Sequence, residues 1–239
     1  MDLLDKVVVI TGASSGLGKA LALRFCTEKP KIVLLSRSAD KLQDVVQTLQ
    51  ASGCEVSCFA CNITDWEQIH HTVEYIIEAY GRIDVLVNNA GILYEEALED
   101  YSVNTILELF DVNSIGAICM TQAVLPHMKK ARSGQIFNVI STAGRYPKSK
   151  SSVYNSTKFA LDGFNQSLKT ELEGTGIRVI GFYPGGMEPN LFTTTPLGPV
   201  KDEMTTERDQ IADIIVYTLK QPENLCIDHI EVRRFTEQK

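Results

Sequence analysis

The chain has 239 residues, 44% of them hydrophobic and 22% charged, close to the globular average, so it can bury a large core. Its formal net charge of −7 argues against a nucleic-acid binder, which would carry a basic stripe. No signal-peptide pattern and no apolar run long enough for a bilayer is read in the sequence, so the expectation is a cytoplasmic protein without an integral membrane segment.

The elements alternate along the chain. Val7 to Ile10 is a β-branched run suited to a buried strand. A glycine-rich turn follows, then Leu17, Ala20, Leu21 and Phe25 at helical spacing, stopped by Pro30. Ile32 to Leu35 predicts a second strand, and the helix after Ser38 ends near Gly53. Glu55 to Ala60 predicts a third strand; Asp65 caps a helix that Gly81 closes. Ile83 to Val87 is a strand, Val103 to Lys130 a long helical region, and Gln135 to Ile140 a strand. Ser152 to Glu173 predicts a helix, Ile177 to Phe182 a strand, Thr206 to Leu219 a helix, and Leu225 to Ile230 a last strand. Uniformly apolar strands separated by amphipathic helices imply a mostly parallel sheet covered on both faces. The expected fold is α/β, a doubly wound, Rossmann-type sheet of seven strands in a single domain over residues 1–239. The segment at about 187–205, with its prolines and the Thr193-Thr194-Thr195 tract, reads as a lid over the substrate.

Six cysteines, at 26, 54, 58, 61, 119 and 226, are expected as reduced thiols in a cytoplasmic chain. Cys54, Cys58 and Cys61 lie close together but lack a nearby histidine and a second ligand pair, so no metal is expected.

The first turn reads Thr11-Gly12-Ala13-Ser14-Ser15-Gly16-Leu17-Gly18. It stands between a strand and a helix, where an open α/β sheet binds a pyrophosphate on free helix N–H groups. Tyr154 and Lys158 are four apart in a helical segment and so share a face. A free phenol, with a pKa of about 10, is a poor base at neutral pH. A nearby ammonium is expected to lower that value by ~2–3 pH units. After the second strand stand Ser36 and Arg37. An NAD site wants an acidic residue there, whereas a guanidinium suits the 2′-phosphate of NADP(H).

Together with Asn88-Asn89-Ala90-Gly91, Asn113, Ser141 and Pro184-Gly185, these motifs resemble the short-chain dehydrogenase/reductase family, in family order over about the first four-fifths of the chain. The resemblance implies an oxidoreductase moving hydride between nicotinamide and a small carbonyl or alcohol substrate. It implies Tyr154 as acid/base, Ser141 on the substrate oxygen, Lys158 on the nicotinamide ribose and Asn113 anchoring a water in the proton path. It further implies cofactor contacts from Gly12, Ser14, Ser15, Gly16, Leu17 and Gly18, from Ser36 and Arg37, from Asn62 and Ile63, and from Asn89, Ala90 and Gly91. Pro184, Gly185 and Met187 complete that set. The chain departs from the pattern at Asn62, where the family usually has an aspartate, and at Pro189, where it often has a threonine. The substrate is expected among Leu93, Tyr94, Ser141, Tyr146 and Tyr183, a mostly apolar set suited to a neutral or amphipathic molecule. Ile106, Phe110, Phe159, Phe164 and Leu168 exceed what one sheet-facing stripe needs, and relatives pair through these helices, so a homodimer or homotetramer is expected. The alternative is a catalytically silent NADP(H)-binding sensor or scaffold of the same fold.

Overall fold

A computed structural model describes residues 2–186, 207–222, 224–225 and 227–234. The expected lid, with Met187 and Pro189, lies outside the described residues. The strands are β1 (Val7–Thr11), β2 (Lys31–Ser36), β3 (Glu55–Ala60), β4 (Val85–Asn88), β5 (Gly134–Val139), β6 (Ile177–Pro184) and β7 (His229–Val232). They form one sheet in the order β3-β2-β1-β4-β5-β6-β7, and every pairing is parallel. The helices are α1 (Gly16–Cys26), α2 (Ala39–Ala51), α3 (Trp66–Tyr80), α4 (Val103–Phe110), α5 (Gly116–Ala131), α6 (Ser152–Glu171) and α7 (Arg208–Leu219).

Because side chains alternate along a strand, the apolar runs feed two cores at once. Val8, Ile10, Ile32 and Leu34 pack on one face with Leu21 and Phe25 of α1 and Ile215 of α7. Val7, Val9, Val33 and Leu35 pack on the other with Val73 of α3, Met120 and Val124 of α5 and Leu168 of α6. Local signals set the helix ends. The Asp65 carboxylate accepts from both the Gln68 amide at 3.1 Å and the Gln68 side-chain Nε2 at 2.7 Å, a cap on the first turn of α3. Gly81, at φ 74°, closes that helix in the left-handed conformation that glycine adopts freely.

Four expectations are corrected. The long helical region is broken by a π turn, Asp111–Ile115, between α4 and α5. By length and composition alone, Val103–Ala131 could cross a membrane, which the sequence reading did not allow for. In the fold, its residues Leu109, Met120, Val124 and Met128 are fully buried in the protein's own cores. The last strand starts at His229 rather than Leu225, because the carbonyls of Gln221, Pro222 and Leu225 turn toward the Arg178 guanidinium. Finally, Cys26 and Cys54 are joined as a disulfide, Cα–Cα 5.4 Å, linking the end of α1 to the start of β3. That pair is therefore not the reduced thiols expected, while Cys58, Cys61 and Cys119 are free.

Candidate active site

The order of the strands reverses between β1 and β4, and in open α/β sheets the crevice at that point, beyond the strands' carboxyl ends, is where ligands bind. Here it is a cleft of about 560 Å³. The turn after β1 supplies one wall. Gly12, at φ 65°, is pressed so close to the next loop that a β-carbon would lie 2.8 Å from Ala90 Cα. Gly16, at φ 56°, faces open space. No acidic residue stands in the first turn of α1, so its free N–H groups can meet an anion. Gly18 does not reach the cleft lining; a β-carbon there would come within 2.5 Å of the Gly12 carbonyl, and the residue is needed for close packing.

The loop after β4 is braced against this turn. Thr11 Oγ1 accepts from the Asn89 and Ala90 amides at 3.0 and 3.1 Å. Asn89 Nδ2 donates to the carbonyls of Thr11 and Gly12 at 2.9 and 3.3 Å. Asn88 turns inward, donating to Thr121 at 3.0 Å and to Asn138 at 2.9 Å, which ties β4 to β5. On the β2 side Ser36 donates to Ser14 at 2.9 Å, and Arg37 reaches the cleft. So does Lys41, a second cation that the sequence reading missed although it stands in the first turn of α2. Asn62 and Ile63 also line the cleft. The Asn62 oxygen already accepts from the Thr64 amide and hydroxyl at 3.3 and 3.1 Å.

Ser141, Tyr154 and Lys158 come together beyond β5 at the far end of the same cleft. Ser141 holds φ 130° and ψ 153°, a region that costs a non-glycine residue about 1–3 kcal/mol and recurs at functional sites. Its Oγ accepts from the Ala143 amide at 3.1 Å. Tyr154 is half-buried, and burial pushes its phenol up to about 12, a hydrogen bond with Ser141 pulling the other way and the Glu95 charge adding to the rise. Lys158 is 5% exposed, donates to the Val139 carbonyl at 3.3 Å and lies 5.9 Å from the Tyr154 ring centre. Burial pushes its ammonium down to about 8. The expected lowering of Tyr154 by Lys158 is thus reversed in the protein by itself. A lysine that is neutral above about 8 has no charge left by the pH at which the phenol ionises.

Asn113 sits in the π turn, and its side chain is committed to the fold. Its Oδ1 accepts from the Ile92 amide at 2.8 Å, while its Nδ2 donates to the Ile92 carbonyl at 2.9 Å and to Thr157 at 3.2 Å. It therefore locks the loop after β4 to the helix bearing Tyr154. Gly91 completes this corner, where a β-carbon would lie 3.2 Å from Asn113 Oδ1 and 3.6 Å from Lys158 Nζ.

Leu93, Tyr94, Ser141, Pro184 and Gly185 line the cleft as expected. Two expected substrate residues do not. Tyr183 is 1% exposed, donates to Asp162 at 2.5 Å and packs against the His229 ring at 4.3 Å. Tyr146 is 53% exposed under the Arg233 guanidinium. Glu95 and Asn155, neither singled out from the sequence, line the cleft instead.

Among known proteins, an uncharacterised oxidoreductase of Staphylococcus epidermidis is 34% identical over 229 residues, 96% of this chain and 97% of that one. The structure is similar to an alcohol dehydrogenase of the archaeon Thermococcus sibiricus complexed with 5-hydroxy-NADP, with TM-score 0.89, 27% identity and 98% and 99% of the two chains covered. It is also similar to a metagenomic short-chain oxidoreductase in complex with NADP, with TM-score 0.87, 29% identity and 99% and 100% coverage. The family model described as short chain dehydrogenase matches residues 6–197. With the glycine turn, the braced Asn89 loop and the Ser141, Tyr154 and Lys158 corner in one cleft, the chain belongs to the short-chain dehydrogenase/reductase family.

Proposed function

We propose that this oxidoreductase is NADP(H)-dependent and interconverts a neutral or amphipathic carbonyl compound and its alcohol, with Tyr154 as acid/base. The observation that carries the reading is the meeting of Ser141, Tyr154 and Lys158 at the end of a cleft whose other end is a glycine cradle and a pair of cations. A nicotinamide dinucleotide fits this cradle and, when bound, supplies or accepts the hydride. Gly12, Gly16 and the N-terminus of α1 would hold its pyrophosphate, Lys158 its nicotinamide ribose. Ser141 would orient the substrate oxygen and Tyr154, a neutral phenol at physiological pH, would give it a proton during reduction. Following NADPH absorbance with a panel of ketones tests the reaction. Tight NADPH binding with no ketone or alcohol ever turned over would favour a silent sensor instead.

The cofactor choice rests on Arg37 and Lys41, because one structure of this fold, a xylitol dehydrogenase, is NAD+-bound. No acidic residue stands at Ser36 to repel a phosphate. A charge-assisted pair to a 2′-phosphate contributes roughly 1.5–3 kcal/mol, or ~10- to 150-fold in affinity. NADPH should bind tighter than NADH by about that margin, less so at high salt. Ser36→Asp with Arg37→Ala should reverse the order, and Lys41→Ala should narrow it. Equal binding of both cofactors by the wild type rules out a role for either cation.

We also propose a soluble homodimer or homotetramer. Val103 and Leu107 of α4, Ile115 of the π turn and Phe159 of α6 are exposed on adjoining elements. Phe164 and Leu168, expected on that surface, feed the protein's own core instead. Leu107→Asp with Phe159→Asp should shift the mass by light scattering toward the monomer. A wild type that is monomeric at micromolar concentration refutes the assembly.

A further inference from the structure

Glu95 is a carboxylate in the catalytic end of the cleft. It stands four residues beyond Gly91, on the segment leaving β4. Its Oε1 accepts from Ser151 Oγ at 3.2 Å. Ser151 is buried and precedes Tyr154 by three residues at the N-terminus of α6, so the anchor of Glu95 and the phenol share a helix face. The two side chains are close enough for the carboxylate to favour the protonated phenol.

The surroundings make this carboxylate unusual. Asn155, also on the cleft wall and buried, gives its Nδ2 to the Lys148 carbonyl at 3.1 Å, and its Oδ1 is itself shut away from the cleft without a partner among the described residues. Glu95 forms no ion pair among the described residues. Five cations line the cleft: Lys158 is turned to the Val139 carbonyl, Arg37 and Lys41 stand on the β2 side beside the glycine cradle, and Lys148 and Arg208 also reach the lining without forming an ion pair with Glu95. A part-buried carboxylate that is not paired with a cation gains from a ligand that brings one into contact.

We propose that Glu95 is a specificity-determining residue that selects substrates carrying a protonated amino group close to the reacting carbon, amino alcohols and amino ketones. This rests on the oxidoreductase reading above and, of its neutral and amphipathic substrates, takes the amphipathic ones with a cationic end. In oxidation the carbinol C–H leaves as hydride to NADP+, and the hydroxyl proton passes to the Tyr154 oxygen and on to solvent. The products are the amino ketone, NADPH and a proton, and the ammonium stays on Glu95 throughout. The competing account is that Glu95 only stabilises the N-terminus of α6, as any carboxylate there would; it predicts no discrimination among substrates.

The test pairs 2-amino-1-phenylethanol with its neutral isostere 1-phenylpropan-1-ol, in the wild type, Glu95→Gln and Glu95→Asp, at neutral pH with NADP+. The wild type should prefer the amine. Glu95→Gln should lower the ratio of the two kcat/KM values by about 10- to 100-fold, the scale of a lost charge-assisted hydrogen bond, and Glu95→Asp should restore part of it. Calorimetric titration of the amino alcohol into the NADP+ complex should show the same loss in binding alone. Equal effects of Glu95→Gln on both alcohols, or a wild-type preference for the neutral one, overturn the proposal. If the amine binds through Glu95 and neither alcohol is oxidised, recognition stands and the reaction reading fails. If the neutral alcohol is oxidised with no dependence on Glu95, the reverse holds. Thermal melts of both variants show that each is folded.

Discussion

Tyr154→Phe is expected to lower turnover by about 10²- to 10⁴-fold, the range general acid catalysis supplies, while leaving NADPH affinity within a few-fold. The two effects separate because the cofactor cradle is built elsewhere. Gly12, Gly16 and the Asn89 brace belong to the β1 and β4 loops, and Lys158 keeps its own hydrogen bond to Val139. Phenylalanine fills the same space but has no proton to give, so the loss falls on the chemical step. The direction of the phenol's displacement also fixes a pH dependence. Pushed up to about 12, Tyr154 stays protonated through neutral pH, and carbonyl reduction should be insensitive to pH there. Alcohol oxidation needs the phenolate and should climb with pH. Stopped-flow measurement of both directions, with fluorescence titration of NADPH, checks the whole set. A variant that keeps substantial turnover shows that another group carries the proton.

Much of the fold was legible because its signals are local. Apolar strands separated by amphipathic helices give the parallel order, and the positive φ of Gly12 and Gly16 is a backbone demand that only glycine meets without strain. Tyr154 and Lys158 were legible for the same reason, since helical spacing places them on one face whatever surrounds the helix. What was not legible depends on partners far away in sequence. Tyr183 sits next to Pro184 at the end of β6 and looks like a cleft residue. Its side chain is instead drawn to Asp162 and His229, which arrive from α6 and β7. The π turn answers to Ile92 and Thr157, to which Asn113 and Ser114 are tied, and no helical periodicity encodes it. Lys41 and Glu95 are charged loop or helix-end residues of an ordinary kind, and only the closing of the cleft gives them a direction. Lys158 lies beside Tyr154 as the helical spacing requires, yet the phenol moves up rather than down, because burial governs both groups.

That burial makes Lys158→Met a test with two outcomes of opposite sign. The ammonium lies almost wholly out of water, and burial moves it from the ordinary 10.5 to about 8. Below about 8 the lysine is charged in both the folded and unfolded chains, and the folded state bears the full desolvation cost, about 3 kcal/mol. Between about 8 and 10.5 the unfolded chain holds the proton and the folded chain does not, so stability rises with pH across that window and the cost disappears above it. Methionine has similar length and no charge to desolvate, and the hydrogen bond to Val139 that it loses contributes about 1 kcal/mol. The variant should therefore be more stable than the wild type at neutral pH by about 2 kcal/mol, a rise in Tm of about 4–8 °C for a chain of this size. The advantage should vanish as the pH approaches that of an ordinary lysine. Turnover should collapse over the same neutral range in which stability improves, because the cation that would hold the nicotinamide ribose is gone. Stability surrendered for a buried charge is what a functional site requires. Paired thermal melts and NADPH-dependent rates at neutral and alkaline pH measure both, and a Lys158→Met protein that melts below the wild type at neutral pH shows that the ammonium is held for the fold rather than for chemistry.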